Sequence, residues 1–173
     1  MHTARRSWLL GLALGVGALA AGSLSGCGFE LRKAPHYAFS SLYSNLPENA
    51  PIGSKLRRSL EISNVEVIRD VRQIERAQVI FEQLQEIREK IVVGRTATGA
   101  IREYQLRLRY RFRLRTLQGI ELIPDTEIAL VRDINFNETG ALSAESQENL
   151  LYRDMEIDLV AQLQRHLAAV QQL

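Results

Sequence analysis

The sequence has one cysteine, three histidines, four prolines and one tryptophan in 173 residues. A single thiol cannot close an intrachain disulfide, so whatever fold forms must be held by its core alone. His2, His36 and His166 lie far apart in the chain. They give no metal-ligand spacing and no nucleophile–base pattern. An HExxH pair, a Ser/His/Asp arrangement and a phosphate-cradling glycine loop are all missing. Glu103 and Asp125 are the acids nearest to a catalytic pair, but their strand and turn contexts suit solvated charges. No enzyme activity, metal or cofactor is expected. Internal repeats and low-complexity segments are absent too.

A surplus of charge is also lacking. The 22 basic residues include Arg5 and Arg6, whereas none of the 20 acids precedes residue 27. Without residues 1–26 the chain therefore balances at 20 basic and 20 acidic residues. A neutral chain of that size offers no general attraction for nucleic acid.

What is present starts at the N-terminus. Arg5 and Arg6 precede an uncharged run from Trp8 to Leu24, rich in Leu, Ala and Gly, that ends in Leu24-Ser25-Gly26-Cys27. A short basic start, an apolar core and small residues at its end describe a cleavable export signal. The closing tetrapeptide matches the bacterial lipobox, in which the cysteine is acylated, with palmitate among the chains, and becomes the new N-terminus. Residues 1–26 are thus expected to be removed, 27–36 to form a lipidated tether and 37–173 to form a single domain. Each buried methylene of an acyl chain contributes about 0.8 kcal/mol, so two or three chains on Cys27 give lasting anchorage. Gly28, in place of an aspartate, favours the outer membrane by the sorting rule of enteric bacteria. The expected location is the periplasmic side of that membrane.

The rest reads as alternating strands and two helices. Tyr37 to Tyr43 suits a first strand, and Asn45 to Pro51 a loop. Ile52, Leu56 and Leu60 share one stripe of a helix ending near Ile62. Val65 to Ile68 is a brief strand, parallel to the first, and Arg69 to Arg76 a charged loop. A long strand holds Val79, Phe81, Ile87, Ile91 and Val93, with a slip near Leu84 that suggests a bulge. Gly94 to Gly99 makes a turn. Ile120 to about Phe136 returns as another strand, with Pro124 marking an edge or irregularity. Ser143 is a plausible helix N-cap, and Leu151, Met155, Leu159, Leu163, Leu167 and Val170 form one apolar stripe. The expected fold is an α+β two-layer sandwich, a mixed sheet of four to five strands with both helices on one face.

The sharpest pattern lies between Glu103 and Arg115. Tyr104, Leu106, Leu108, Tyr110, Phe112 and Leu114 occupy one parity, and Arg107, Arg109, Arg111, Arg113 and Arg115 the other. Side chains alternate across a strand, so this predicts an apolar row on one face and an arginine ladder on the other. Residues 95–115 carry seven arginines against one acid, Glu103. Two roles fit such a ladder. It can pair with Glu82, Glu86, Glu89, Glu121 and Glu127 on neighbouring strands, or it can meet an external phosphate or carboxylate through paired hydrogen bonds. The candidate anion contacts are Arg95, Arg102, Arg107, Arg109, Arg111 and Arg113.

The order of features resembles the LPS-assembly lipoprotein family, LptE. The resemblance rests on Cys27-Gly28-Phe29-Glu30-Leu31-Arg32, on the strand–helix–strand start and on Glu103-Tyr104-Gln105-Leu106 opening a long alternating strand. The Ile123-Pro124 return strand and the closing amphipathic helix complete it. It implies a heterodimer with the LptD outer-membrane barrel, in which the lipoprotein plugs the lumen and aids assembly, with direct lipopolysaccharide contact. The family's basic residue before the Glu-Tyr-Gln strand corresponds to the region of Arg95 and Arg102. Its basic residue leading into the last helix has no counterpart, since residues 138–149 hold no Lys or Arg and Ala144 stands near that place. The alternative to this resemblance is a free lipid-anchored binding or structural lipoprotein with no barrel partner.

Overall fold

The computed structural model describes residues 35–47, 49–135 and 141–173, and in the last helix the side chains from residue 145 onward. Residues 1–26, expected to be a signal peptide, Cys27, the expected end of the return strand at Phe136 and the side chain of Ser143 lie outside the described residues.

The elements run β1 (Ser41–Ser44), α1 (Pro51–Ile62), β2 (Glu66–Ile68), a 3-10 turn (Val71–Arg76), β3 (Val79–Arg95), β4 (Ile101–Thr116), β5 (Glu121–Asn135) and α2 (Ala141–Ala168). The strands form one five-stranded mixed sheet in the order β2-β1-β3-β4-β5. β1 is parallel to both β2 and β3, while β3–β4 and β4–β5 are antiparallel. The fold class is the expected α+β. Three boundaries differ. The first strand is confined to Ser41–Ser44, the charged stretch after β2 winds into a 3-10 turn capped by the Asp70 carboxylate, and α2 begins two residues before Ser143. Asp70 accepts from the Arg72 amide at 3.0 Å, which converts a loop into a turn.

α1 starts at Pro51, whose missing N–H would have had no partner in a first helical turn. It buries Ile52, Gly53, Leu56 and Leu60. A Cβ at Gly53 would stand 3.1 Å from Leu46 Cβ, so the smallest residue is what lets the preceding loop close on the helix. Asn64 leaves α1 in the left-handed region, at φ 60°, and redirects the chain into β2.

The core lies between the helices and one sheet face. Leu106, Leu108, Tyr110, Phe112 and Leu114 from β4 are fully buried, as are Met155, Leu159, Leu163 and Leu167 from α2. Covering a leucine or phenylalanine of this kind contributes about 1.5–3 kcal/mol, so β4 and α2 dominate the stability.

β3 departs from simple alternation at one point. Gln83 opposes Phe112 and Gln85 opposes Arg111, which leaves Leu84 as the extra residue of a bulge. Before the bulge the odd residues Val79 and Phe81 join the core. After it Ile87 opposes Arg109 and Ile91 opposes Gln105, so both lie on the arginine face. Glu86, Arg88 and Lys90 thereby turn toward the helices.

Candidate functional site

The outer sheet face, away from the helices, carries the ladder. From Glu103 to Arg115 β4 keeps its alternation against β3, so its odd residues share that face. Arg109 is held in a fork by Glu127, with Nε and Nη2 each 3.0 Å from a carboxylate oxygen. Arg111 pairs with Asp125 in the same way, and Arg113 donates to Glu82. Arg115 Nη2 reaches the other Glu82 oxygen at 3.1 Å. The hydrogen bond from Arg115, helped by Arg113, holds the Glu82 carboxyl below the usual range, and Arg109 does the same for Glu127. This half of the ladder is satisfied within the sheet.

The other half is different. Arg107 Nε donates to Gln105 Oε1 at 2.8 Å and has no carboxylate partner among the described residues. Arg95, at the end of β3, donates to the Gly99 carbonyl across the turn, at 3.0 Å, and has no carboxylate partner among the described residues. Arg102 is exposed and forms no ion pair among the described residues. It is the residue skipped between Glu103 and Ile101 in the pairing with β3, so strand parity assigns it no face. Arg107 thus stands on the outer face as the last arginine of the ladder, while Arg95 and Arg102 lie beyond it at the hairpin tip, where register shifts at 92/94 and 94/95 interrupt the alternation. Beside Arg107 and Arg109 lie Ile87, Ala129 and Val131, a mixture of cation and apolar surface.

The distal hairpin is held in shape by a close approach. A Cβ on Gly94 would meet Glu103 Cβ at 2.9 Å, so β3 and β4 can pass this closely only at a glycine. Gly99, at φ 85°, then reverses the chain.

Sequence reasoning missed a second polar cluster, on the helix side. Glu156 of α2 is only 4% exposed. It accepts from Lys55 Nζ of α1 at 2.5 Å and from Arg88 of β3 at 3.0 Å, and Arg88 also binds Glu86. Nearby, Lys90 pairs with Glu148 at 2.7 Å and sits 4.4 Å from the Tyr104 ring centre. The signal was the cluster of charges at Glu86, Arg88 and Lys90, which becomes legible only when the bulge is placed.

Residues 39–167 match the family model "LptE: Lipopolysaccharide-assembly". The chain belongs to the LptE family. A lipoprotein B of Nitrosomonas europaea, described as uncharacterized, is 30% identical, with a TM-score of 0.69 over 82% of this chain and 91% of that one. A minor lipoprotein of Acinetobacter baumannii has a TM-score of 0.61 at 19% identity, over 78% of this chain and 94% of that one. The rare lipoprotein B of Shewanella oneidensis gives 0.60 at 19% identity, over 75% and 92%. These last two bear on the fold alone. No curated protein sequence matches the chain. LptE membership makes this a non-enzymatic lipoprotein of the outer-membrane lipopolysaccharide machinery, with a role in lipopolysaccharide assembly and an LptD-type partner implied.

Proposed function

We propose that this LptE chain is lipidated at Cys27 after removal of residues 1–26, is held on the periplasmic side of the outer membrane, and plugs the lumen of an LptD barrel. There it contacts lipopolysaccharide through the distal end of the arginine ladder. The observation that carries the contact is the division of the ladder. Arg109, Arg111, Arg113 and Arg115 are matched by Glu127, Asp125 and Glu82, whereas Arg95 and Arg107 meet no carboxylate among the described residues. Guanidinium groups without a carboxylate partner favour phosphate, and Ile87, Ala129 and Val131 beside Arg107 and Arg109 suit acyl chains. Of the six candidate contacts, Arg95 and Arg107 fit this role best.

Two measurements test this reading. Lipopolysaccharide binding by the purified chain should fall about tenfold in an Arg95→Glu, Arg107→Glu double variant and stay near wild type in Arg113→Gln. Equal loss in both, or in neither, would remove the distal end from the site. Purification from outer membranes should yield the chain and a large β-barrel in about one-to-one amounts. Recovery of the chain alone at normal abundance would favour the free lipid-anchored alternative.

A further inference from the structure

Among the described residues the sheet has four stretches of free edge, and one of them is neither short, nor bulged, nor interrupted by proline, although it carries charged side chains. β2 is three residues long. β3 beyond Gln83 is interrupted by register shifts at 83/85, 92/94 and 94/95, and its first free amide is taken by Asn45 Oδ1 at 2.8 Å. The first half of β5 contains Pro124 and two further shifts. Short strands, bulges and prolines are the common means of blunting an edge. From Thr126 to Asn135, in contrast, β5 is in unbroken register with β4 and has no proline.

The direction of its backbone groups follows from the hairpin. Thr116 N–H bonds the Ile120 carbonyl, so the even residues of β4 turn their amides toward β5. The even residues of β5 opposite them, such as Ile128 and Leu130, answer those bonds. Glu127, Ala129, Val131 and Asp133 consequently point their N–H and C=O groups away from the sheet. Arg132 Nη1 donates to the Val131 carbonyl at 2.8 Å, in keeping with that direction. The same guanidinium is tied to Asp158 at 2.5 Å.

We propose that Thr126–Asn135 is a strand-addition site that takes one extended segment of a partner protein. The partner's chemistry is set by the outer-face side chains along this edge, which read Glu127, Ala129, Val131 and Asp133. All four are exposed. An added strand therefore needs basic residues opposite the two acids and apolar residues opposite the two between them, that is, basic, apolar, apolar and basic at alternate positions. A second copy of this chain is a poor occupant. Antiparallel self-pairing centred on Leu130 sets Glu127 against Asp133, a like-charge pair that opposes association. The proposal shares Glu127, the partner of Arg109, and Ala129 and Val131 with the arginine face, and Asp133 also accepts from Gln105 at 3.0 Å, so a basic residue of the added strand would bridge to acids already held from the β4 side.

The test uses the full chain in detergent and a peptide of sequence Ser-Lys-Thr-Val-Thr-Val-Thr-Lys-Ser, whose pattern reads the same in both directions. Amide hydrogen exchange is followed residue by residue. Peptide should slow exchange at Glu127, Ala129, Val131 and Asp133 at least tenfold and leave Ile128 and Leu130, already protected by β4, unchanged. Ala129→Pro, which removes an outward N–H and no bond to β4, should abolish the effect. Val131→Lys is a second variant that leaves the backbone intact and should weaken it. Exchange unchanged at saturating peptide, or slowed along β3 in its place, would overturn the site. Protection that rises with protein concentration alone would overturn the hetero-partner in favour of self-pairing. A peptide with glutamates for lysines that binds equally well would overturn the charge pattern.

Discussion

Lys55 of α1 donates to the carboxylate of Glu156 in α2 at 2.5 Å, across a helix–helix contact where the acid is almost fully buried. Arg88 of β3 binds the other oxygen at 3.0 Å, so one carboxylate ties both helices to the sheet. Desolvating an acid is costly unless its charge is matched, and here two cations supply the match.

Removing that acid should be costly for the same reason. Glu156→Ala leaves Lys55 and Arg88 facing each other over an apolar layer. Breaking a fully buried pair costs 3–5 kcal/mol, but both cations here are about a third exposed, so a loss of about 2 kcal/mol is expected. Lys55→Ala should cost less, because Arg88 still answers the acid. Urea unfolding measures both. A change below about 0.5 kcal/mol for Glu156→Ala would show that the acid is not held as described.

Stability should also respond to acid through the ladder. Arg115 and Arg113 lower the pKa of Glu82, and Arg109 lowers that of Glu127. A carboxyl with a folded-state pKa below its unfolded value adds stability above the unfolded value, about 4.3 for Glu, and loses it as pH falls through the folded one. The urea midpoint should therefore hold level from pH 7 to about 5 and fall below about 4. Glu82→Gln should flatten that fall. A midpoint in the variant as steep in acid as in the wild type would separate the ladder from acid sensitivity.

Tyr110 offers the opposite kind of test. Its ring is fully buried in the core, and its hydroxyl has no hydrogen-bond partner among the described residues. Burial, with a lesser contribution from the charge of Glu86, pushes the phenol well above its ordinary pKa. Leaving a buried polar group unpaired costs about 1–3 kcal/mol. Tyr110→Phe should then be neutral or stabilising by roughly 1 kcal/mol, seen as a raised melting temperature. A destabilisation above 1 kcal/mol would mean that the hydroxyl is satisfied after all.

Parts of this architecture were legible from the sequence because they rest on local periodicity. The alternation from Tyr104 to Arg115 placed the core row and the ladder, and the stripe from Leu151 to Leu167 placed α2. The slip at Leu84 was visible, but its effect was not. One extra residue reverses the side chains that follow as far as Val92, so Ile87 and Ile91 leave the core face while Arg88 and Lys90 enter it. Which arginines are neutralised was not legible either. That depends on cross-strand register, since Glu82 lies some thirty positions from Arg113 and Arg115. Arg95 and Arg102 show a plainer limit: the shifts at 92/94 and 94/95 break the alternation, so nearness in sequence to the ladder does not assign them its face. Glu156 reads as an ordinary solvent-side acid until α1 and β3 are brought against it.

The close passage at Gly94 has a consequence for how the chain can vary. β4 is sixteen residues long and spans about 50 Å at roughly 3.3 Å per residue. Its fully buried row stops at Leu106, well short of the tip where Gly94 and Glu103 meet. Cohesion and reach are therefore assigned to different ends of one strand. The tip can exchange its cations as the surface it faces changes, provided a glycine keeps the two strands together, and the body that holds it upright need not be rebuilt.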